Sequence, residues 1–494
     1  MKKTKFIARK RELAALNVLY ESDKFEMPVI YGRRRIGKST LIDYFAENKP
    51  TIFFQAVESS ASNNLMFLSQ RIDEFKHNRF FSHTSSYSDF RHAFFEINAI
   101  AERSEEKLIF VIDEYPYLAE VEKSMNSILQ EIIDHVFKLN KNIMLILCGS
   151  SMSFMEKQVL GSKSPLYGRR TAQFKILPFT FFETSEYLKG LSGEDIMAYH
   201  GFTGGVPQYL EFIDITSSLQ DNIRRLFLEM GSPLLEEPEN LLKQELRNPA
   251  TYNSILLAIS HGKSKYNEIV SVIDVSSGAA NTYLNNLISL GIVERKTSIF
   301  DKKGRKPIYR IKDGLYRFWF RFIEGNVDRI SRNRIEGLHA KIMEDLPQFL
   351  GYTFEEVVKD WIWENEVLDF EPRKVASWWG SDSKEKRDVE IDIVAPDDRG
   401  YVALVGECKW KNPSKLDRGM IDNLVRYSSL ITEVQERRLY FFLKESTTWF
   451  NEYARENGVK VIEFSTFLKD EIATSQRLVK QEHYERREND ILRR

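Results

Sequence analysis

The octapeptide Gly32-Arg33-Arg34-Arg35-Ile36-Gly37-Lys38-Ser39 constrains this 494-residue chain more than any other segment, because of what flanks it. An apolar run, Met27 to Tyr31, leads into it, and a helical pattern, Thr40 to Ala46, leads out. A glycine-rich turn between strand and helix presents unpaired backbone N–H groups where the helix dipole favours an anion. With this spacing the loop wraps phosphates, Lys38 neutralises the β- and γ-phosphates, and Ser39 ligates Mg2+. Residues Gly32 to Ser39, with Thr40, are therefore the expected ATP-binding stretch.

Further strand-like runs, Thr51 to Gln55, Lys107 to Ile112, Ile143 to Cys148 and Gln173 to Leu177, alternate with helical patterns. That alternation implies a parallel sheet covered by helices on both faces. The Lys107 run ends in Asp113-Glu114. Two acids closing an apolar strand suit the metal partner of a phosphate loop, Asp113 holding Mg2+ and Glu114 polarising the attacking water. Ser150, in Gly149-Ser150-Ser151, is placed to sense the γ-phosphate. Arg169 and Arg170 offer guanidinium groups for an arginine finger; surface salt bridging explains them equally well.

From Phe179 to Phe227 the pattern is helical, broken at Gly201, Gly204, Gly205 and Pro207, as a lid over a ligand would be. Gly231, Pro233, Pro238 and Pro249 then read as linker. Residues 251–313 run helix, helix, turn, helix and two short strands, the order of a winged helix. Its third helix, Gly278 to Leu290, contains no Lys or Arg, leaving Asn281, Thr282, Asn285 and Asn286 to touch bases or phosphates. The wing gathers Arg295, Lys296, Lys302, Lys303, Arg305 and Lys306, which could grip phosphates without reading sequence. Such a domain equally serves as a protein-binding module, so DNA and protein partners both stand open.

Near the C-terminus, strand alternation puts Asp388, Glu390 and Asp392 on one face and, in the next strand, Val405, Glu407 and Lys409 on one face. The turn Asp397-Asp398-Arg399-Gly400 allows a hairpin that brings these groups together. Two carboxylates and a lysine suit metal-assisted phosphodiester cleavage, with Asp392 and Glu407 on Mg2+ and Lys409 activating water. Glu355 adds a carboxylate from a preceding helix, with Glu356 or Glu390 as alternative ligands.

The two nucleotide motifs, the serine pair and Gly204-Gly205-Val206-Pro207 resemble the archaeal-type ATPase family, relatives of the signal-transducing STAND NTPases. The resemblance covers most of residues 1–230. It implies a five-stranded sheet with an extra strand between the two nucleotide motifs, and a glycine-proline element linking lid movement to the nucleotide. Residues 346–465 resemble the restriction-endonuclease-like PD-(D/E)XK superfamily, whose motif positions Glu355, Asp392, Glu407 and Lys409 match. Ile391 stands where the family name has proline, and Trp378-Trp379-Gly380 is similar to the family pattern.

The expected fold class is α/β. A P-loop NTPase with a parallel sheet and helical lid occupies 1–230, a winged helix 250–313, a helical connector 314–345, the nuclease-like domain 346–470 and a charged tail 471–494. With 71 Lys plus Arg against 72 Asp plus Glu, the net charge of −1 gives no global attraction to nucleic acid, so local patches must supply any. Cys148 and Cys408, far apart in apolar runs, argue against a disulfide framework or zinc site. No apolar run approaches the roughly 20 residues that cross a bilayer, and no secretory signal precedes the first domain. The expectation is a cytoplasmic ATPase, monomeric or oligomeric, coupled to a Mg2+-dependent nuclease-like or DNA-binding domain. Its alternative is a nucleotide-operated switch whose nuclease-like fold is inactive.

Overall fold

The apolar runs of the first half are strands buried on both faces, which only a sheet covered twice can achieve. The computed structural model describes residues 6–78, 86–273, 275–301, 304, 307–365, 368–382 and 384–468. Strands β1 (Pro28–Tyr31), β2 (Thr51–Gln55), β3 (Leu108–Asp113), β4 (Ile143–Gly149) and β5 (Ala172–Lys175) form a parallel sheet in the order β2-β3-β4-β1-β5. Every residue of β1, β3 and β4 is buried. The expected extra strand is β4, between the strand that enters the phosphate loop and the strand that ends in Asp113. Register sets Tyr31 level with Gly149 and Ile112 level with Leu147, so all three strands finish at one edge. Helix α1 (Lys38–Ala46) packs Leu41, Ile42 and Phe45 against Ile30, Ile109 and Ile146. Each such side chain contributes about 1.5–3 kcal/mol on leaving water.

Packing divides the chain into two interleaved units, Met1–Pro178 with Val206–Glu211, and Phe179–Gly205 with Phe212–Arg494. The helical stretch expected as a lid on the N-terminal core is thereby split. Helices α2 (Phe181–Tyr187) and α3 (Gly193–Thr203) belong to the second unit, and α4 (Pro207–Glu211) to the first. The reason is close packing within the second unit: a Cβ on Gly201 would fall 2.5 Å from Leu350 Cδ2. Gly205 has φ +69°, and a Cβ there would lie 2.1 Å from the Phe179 carbonyl oxygen, so only glycine closes this turn.

In the second unit, helices α5 (Pro249–Ser260), α6 (Tyr266–Val270) and α7 (Ser277–Ser289) precede an antiparallel hairpin of β6 (Val293–Lys296) and β7 (Ile308–Ile311). Lys302, Lys303, Arg305 and Lys306, like the tail from Thr474, lie outside the described residues. Helix α8 (Gly314–Phe318) follows, and then α9 (Glu336–Glu364) runs straight through the boundary expected at residue 346. Pro347 sits inside it. An interior proline costs about 3 kcal/mol, but the buried stripe Leu338, Ile342, Leu346, Leu350, Phe354, Val357 and Trp361 continues across it and outweighs that cost.

The last sheet is mixed. Strands β8 (Ala376–Asp382), β9 (Arg387–Pro396), β10 (Val402–Lys409), β11 (Glu436–Leu443) and β12 (Val459–Glu463) stand in the order β12-β11-β10-β9-β8. β8, β9 and β10 pair antiparallel, whereas β11 and β12 continue parallel to β10 through helices α10 (Arg418–Ser428) and α11 (Thr448–Glu456). Ile391, Val405, Ile421, Leu424, Phe441 and Phe450 fill its core.

Candidate functional site

Gly37, at φ 82°, turns the chain so that α1 begins at Lys38. Lys38 is only 6% exposed, and its ammonium donates to the Arg33 carbonyl at 3.1 Å. An ammonium carries three donors; one backbone acceptor leaves this buried charge poised for an anion. Ser39 Oγ donates to Asp113 Oδ2 at 2.8 Å, joining the helix start to the end of β3. Asp113, 2% exposed, also accepts the Glu114 N–H on Oδ1 at 3.0 Å. Glu114 itself adopts a left-handed backbone, φ 50°. Its Oε2 accepts both the N–H and the Oγ of Ser150, at 3.1 and 2.8 Å. The Ser150 hydroxyl, expected to face a γ-phosphate, is thus engaged in orienting Glu114.

The rest of the loop has structural duties. Ile36 is buried in the first unit's core, and Arg34 donates to the Tyr117 hydroxyl. Arg35 adopts φ 72°, and its carbonyl accepts the Gln208 N–H at 3.4 Å, which ties α4 to the loop. Arg33 is buried, while Ser39 and Thr40 are exposed. Arg169 is committed elsewhere. Its Nε lies 3.1 Å from both Asp134 carboxylate oxygens, and its Nη1 donates to the Pro165 and Tyr167 carbonyls. None of these bonds reaches the phosphate loop, and the hydrogen bond from Arg169 holds the Asp134 carboxyl below its usual range. Arg170 donates to the Leu160 carbonyl at 3.3 Å. One supporting residue escaped sequence reasoning: Arg9, nearly buried, donates to the carbonyls of Ile36 and Leu177 and props the loop from behind. A charge in a basic N-terminal stretch carries no pattern that would reveal this.

In the second unit, the β9–β10 register pairs Ile393 with Gly406, so Asp392 and Glu407 come next to each other. Asp392 Oδ2 accepts the Cys408 N–H at 2.9 Å and the Lys409 ammonium at 3.3 Å, and Lys409 lies 2.5 Å from Glu407 Oε2. Burial, and then the charge of Asp392, push both Glu407 and Glu355 well above ordinary carboxyl values. Burial opposes the charge of Lys409, but Asp392 and Glu407 outweigh it and hold its pKa above that of a free lysine. The choice left open among acids narrows. Burial works against the charge of Glu356, yet Lys359 and Lys296, at 2.7 and 3.1 Å, bring it down to about 2. Glu390 pairs with Arg310. Glu355 is therefore the acid that shares a field with Asp392. Among the described residues no three His, Cys, Asp or Glu already form a metal cage; the Lys409 ammonium occupies the point where Asp392 and Glu407 converge.

The described strands of the hairpin β6–β7, expected as a basic wing able to grip phosphates or to serve as a structural module, make contacts inside their own unit. Lys296 reaches Glu356, Arg310 reaches Glu390, and the Tyr352 hydroxyl donates to Glu294 at 2.5 Å. Of the polar residues on α7, Asn281, Thr282 and Asn285 are exposed, whereas Asn286 donates to the Tyr252 hydroxyl at 2.7 Å. Trp378 joins the core of the last sheet.

Comparison with known proteins agrees with this layout. Residues 6–213 match an ATPase domain found predominantly in Archaea, and residues 319–421 match a family of Archaea bacterial proteins of unknown function. The uncharacterized protein MJECL04 of Methanocaldococcus jannaschii is 35% identical over 434 residues, 86% of this chain and 92% of that one. A second protein of that organism, MJ1637, is 27% identical over 219 residues, 44% of this chain and 37% of its own length. The Walker-type ATPase PABY2304 of Pyrococcus abyssi shares the fold, with a TM-score of 0.50 at 20% identity over 65% of this chain and 97% of that chain. Among the described residues no helix is long and apolar enough to cross a membrane. Alike almost end to end to one of these relatives, the chain belongs to the archaeal-type ATPase family and joins its ATPase domain to the C-terminal domain of unknown function.

Proposed function

We propose that this chain binds and hydrolyses ATP with Mg2+ at the N-terminal loop, and that nucleotide state governs a Mg2+-dependent phosphodiester-cleaving site at Asp392, Glu407 and Lys409. The observation that carries the first half is the hydrogen-bonded line Ser39, Asp113, Glu114, Ser150 beside an under-satisfied Lys38. The Ser39 hydroxyl and Asp113 carboxylate are hard oxygen donors of the kind Mg2+ takes, and the metal would screen phosphate charge. Lys38 binds the β- and γ-phosphates, and backbone N–H groups of residues 32–39 wrap them. Glu114, gripped through Oε2 by Ser150, has Oε1 to orient a water and accept its proton. The water oxygen bonds to the γ-phosphorus as the bond to the bridging oxygen breaks, giving ADP and phosphate.

At the second site, Asp392, Glu407 and Glu355 supply oxygen donors for Mg2+, which would compensate the negative charge they accumulate. Lys409 positions or activates water and offsets charge on the phosphodiester. Residues 250–313 read as a winged helix used for docking inside the unit, because the hairpin that would grip DNA is engaged with α9 and β9. That engagement also favours a second reading, a nucleotide-operated switch that cleaves nothing.

The test is incubation of purified protein with ATP, Mg2+ and DNA or RNA, beside the variants Lys409→Ala and Glu407→Gln. Cleavage lost in both variants supports the nuclease reading. Cleavage that survives them, or none at all, removes it, and nucleotide-tuned binding without cleavage marks the switch.

A further inference from the structure

We propose that Arg310 holds a phosphate of a nucleic-acid strand at the C-terminal site, so that the site is built jointly by the β6–β7 hairpin and the last sheet; this rests on reading that site as phosphodiester-cleaving. Alternation along β7 buries Tyr309 and Ile311 and turns Arg310 to the opposite face, level with Glu294 on β6. That face meets α9 and β9. Lys296 lies 3.1 Å from both Glu294 and Glu356, and Arg310 Nη2 lies 3.1 Å from each oxygen of Glu390.

Two kinds of contact here differ in how readily they exchange. Just beyond β6, Ser298 Oγ accepts the Trp379 N–H at 3.1 Å and donates to its carbonyl at 3.2 Å. The Ile299 N–H donates to the Ser377 carbonyl at 3.1 Å, and Ile299 and Phe300 pack on the apolar core of the last sheet. Backbone bonds and apolar burial do not respond to an arriving anion. They fix the hairpin in place, which argues against a detachable plug. The Arg310–Glu390 pair is different: its side chains are 30% and 38% exposed, and an ion pair this wet is worth at most about 1 kcal/mol.

Glu390 stands two residues before Asp392 on β9, about 7 Å along the strand, and a register shift against β8 between Ile391 and Val394 separates their faces. Glu294, level with Arg310, bonds Tyr352 on α9, three residues before Glu355, so Arg310 is stationed near the acid that shares a field with Asp392. Burial opposes the charge of Arg310, while Glu390 and Glu355 reinforce it. A guanidinium presents a planar fork that matches phosphate oxygens as well as it matches carboxylate. Glu390 holds the fork in position in the absence of substrate. When a phosphate takes the fork, Glu390 is released to solvent at little cost.

The experiment uses the full chain and short labelled DNA and RNA strands, with Ca2+ replacing Mg2+ to suppress cleavage. Arg310→Gln is expected to weaken binding about tenfold and to reduce the slope of log affinity against log salt by about one. Glu390→Gln, which frees the same guanidinium, is expected to bind at least as tightly as the native chain. A purely structural ion pair would make both variants weaken alike, and that result overturns the proposal. So does native affinity in Arg310→Gln, or a native chain that binds neither strand. If binding follows Arg310 while no Lys409-dependent cleavage is seen with Mg2+, the cleavage reading fails and the phosphate-holding role stands. The strand type that shows the Arg310-dependent slope identifies DNA or RNA as its source.

Discussion

Replacing Lys38 with methionine keeps the apolar stem that packs beneath the loop and deletes only the charge. Lys38 is 6% exposed and its ammonium has one carbonyl acceptor at 3.1 Å, so removing the charge relieves a poorly satisfied buried group. The stability of the empty variant should therefore hold or rise. With nucleotide the sign reverses. Truncating one partner of a close, desolvated charge pair costs about 2–5 kcal/mol, which raises Kd by about thirtyfold to several thousandfold. Native protein at a ligand concentration near 100 Kd gains about 2.7 kcal/mol of stability. At the same concentration the variant should keep less than about 1 kcal/mol. Calorimetric titration with Mg-ADP gives the affinities, and thermal unfolding with and without nucleotide gives the stabilities. A variant that binds Mg-ADP like the native chain would refute the assignment of Lys38 to the phosphates. Unfolding of the empty variant at a much lower temperature would show that Lys38 is structural.

Ser150→Ala removes the Oγ–H that Glu114 accepts at 2.8 Å but keeps the N–H at 3.1 Å. Single-turnover ATP hydrolysis should slow about tenfold with Mg-ADP affinity unchanged; equal loss of affinity would contradict an orienting role. His200 stacks edge-on against Phe181 at 5.9 Å and lies 2.9 Å from Thr184 Oγ1. Burial, helped by Arg317, pushes its pKa down from 6.5 to about 4. Its neutral ring contributes fully above the unfolded-chain value. Between pH 6.5 and about 4 unfolding takes up a proton, so stability falls with falling pH and levels off below. Allowing for the ring's partial solvent access, the loss is about 2 kcal/mol. Urea unfolding of native protein and His200→Gln at pH 7.5 and 4.5 measures it, and identical pH slopes would discard the explanation.

The elements legible in the sequence are those whose local pattern is forced by local physics. A strand buried on both faces must be an unbroken apolar run, so β3 and β4 stand out within a residue of their ends. The phosphate loop is legible because its glycine spacing and lysine follow from backbone geometry. Alternation and the hairpin turn at Asp397–Gly400 together bring Asp392, Glu407 and Lys409 into one group. Illegible features depend on residues distant in the chain. Pro347 reads as a break until the apolar stripe on both sides of it has something to pack against. The pairing of Arg169 with Asp134, and not with a phosphate, depends on a carboxylate from the helix Met125–His135, distant in sequence from the turn that carries Arg169. Arg310 and Glu390 are two more charges in a highly charged chain until the hairpin docks. Helices Phe181–Tyr187 and Gly193–Thr203 join the second unit because Gly201 lets Leu350 and Phe349 approach, a fit between residues about 150 positions apart.

The alternation of ownership along residues 178–212 has a consequence for how such a protein can be divided or recombined. No single peptide bond parts the two units. A gene truncated after residue 230 would encode an intact phosphate loop together with orphan segments of the second unit, Phe181–Tyr187, Gly193–Thr203, Leu219–Ile223 and Arg224–Leu228, their apolar sides bared to solvent and prone to aggregate. A gene starting there would lack the same segments and expose the side of Glu336–Glu364 on which Gly193–Thr203 rests. One crossover point therefore cannot exchange either unit whole.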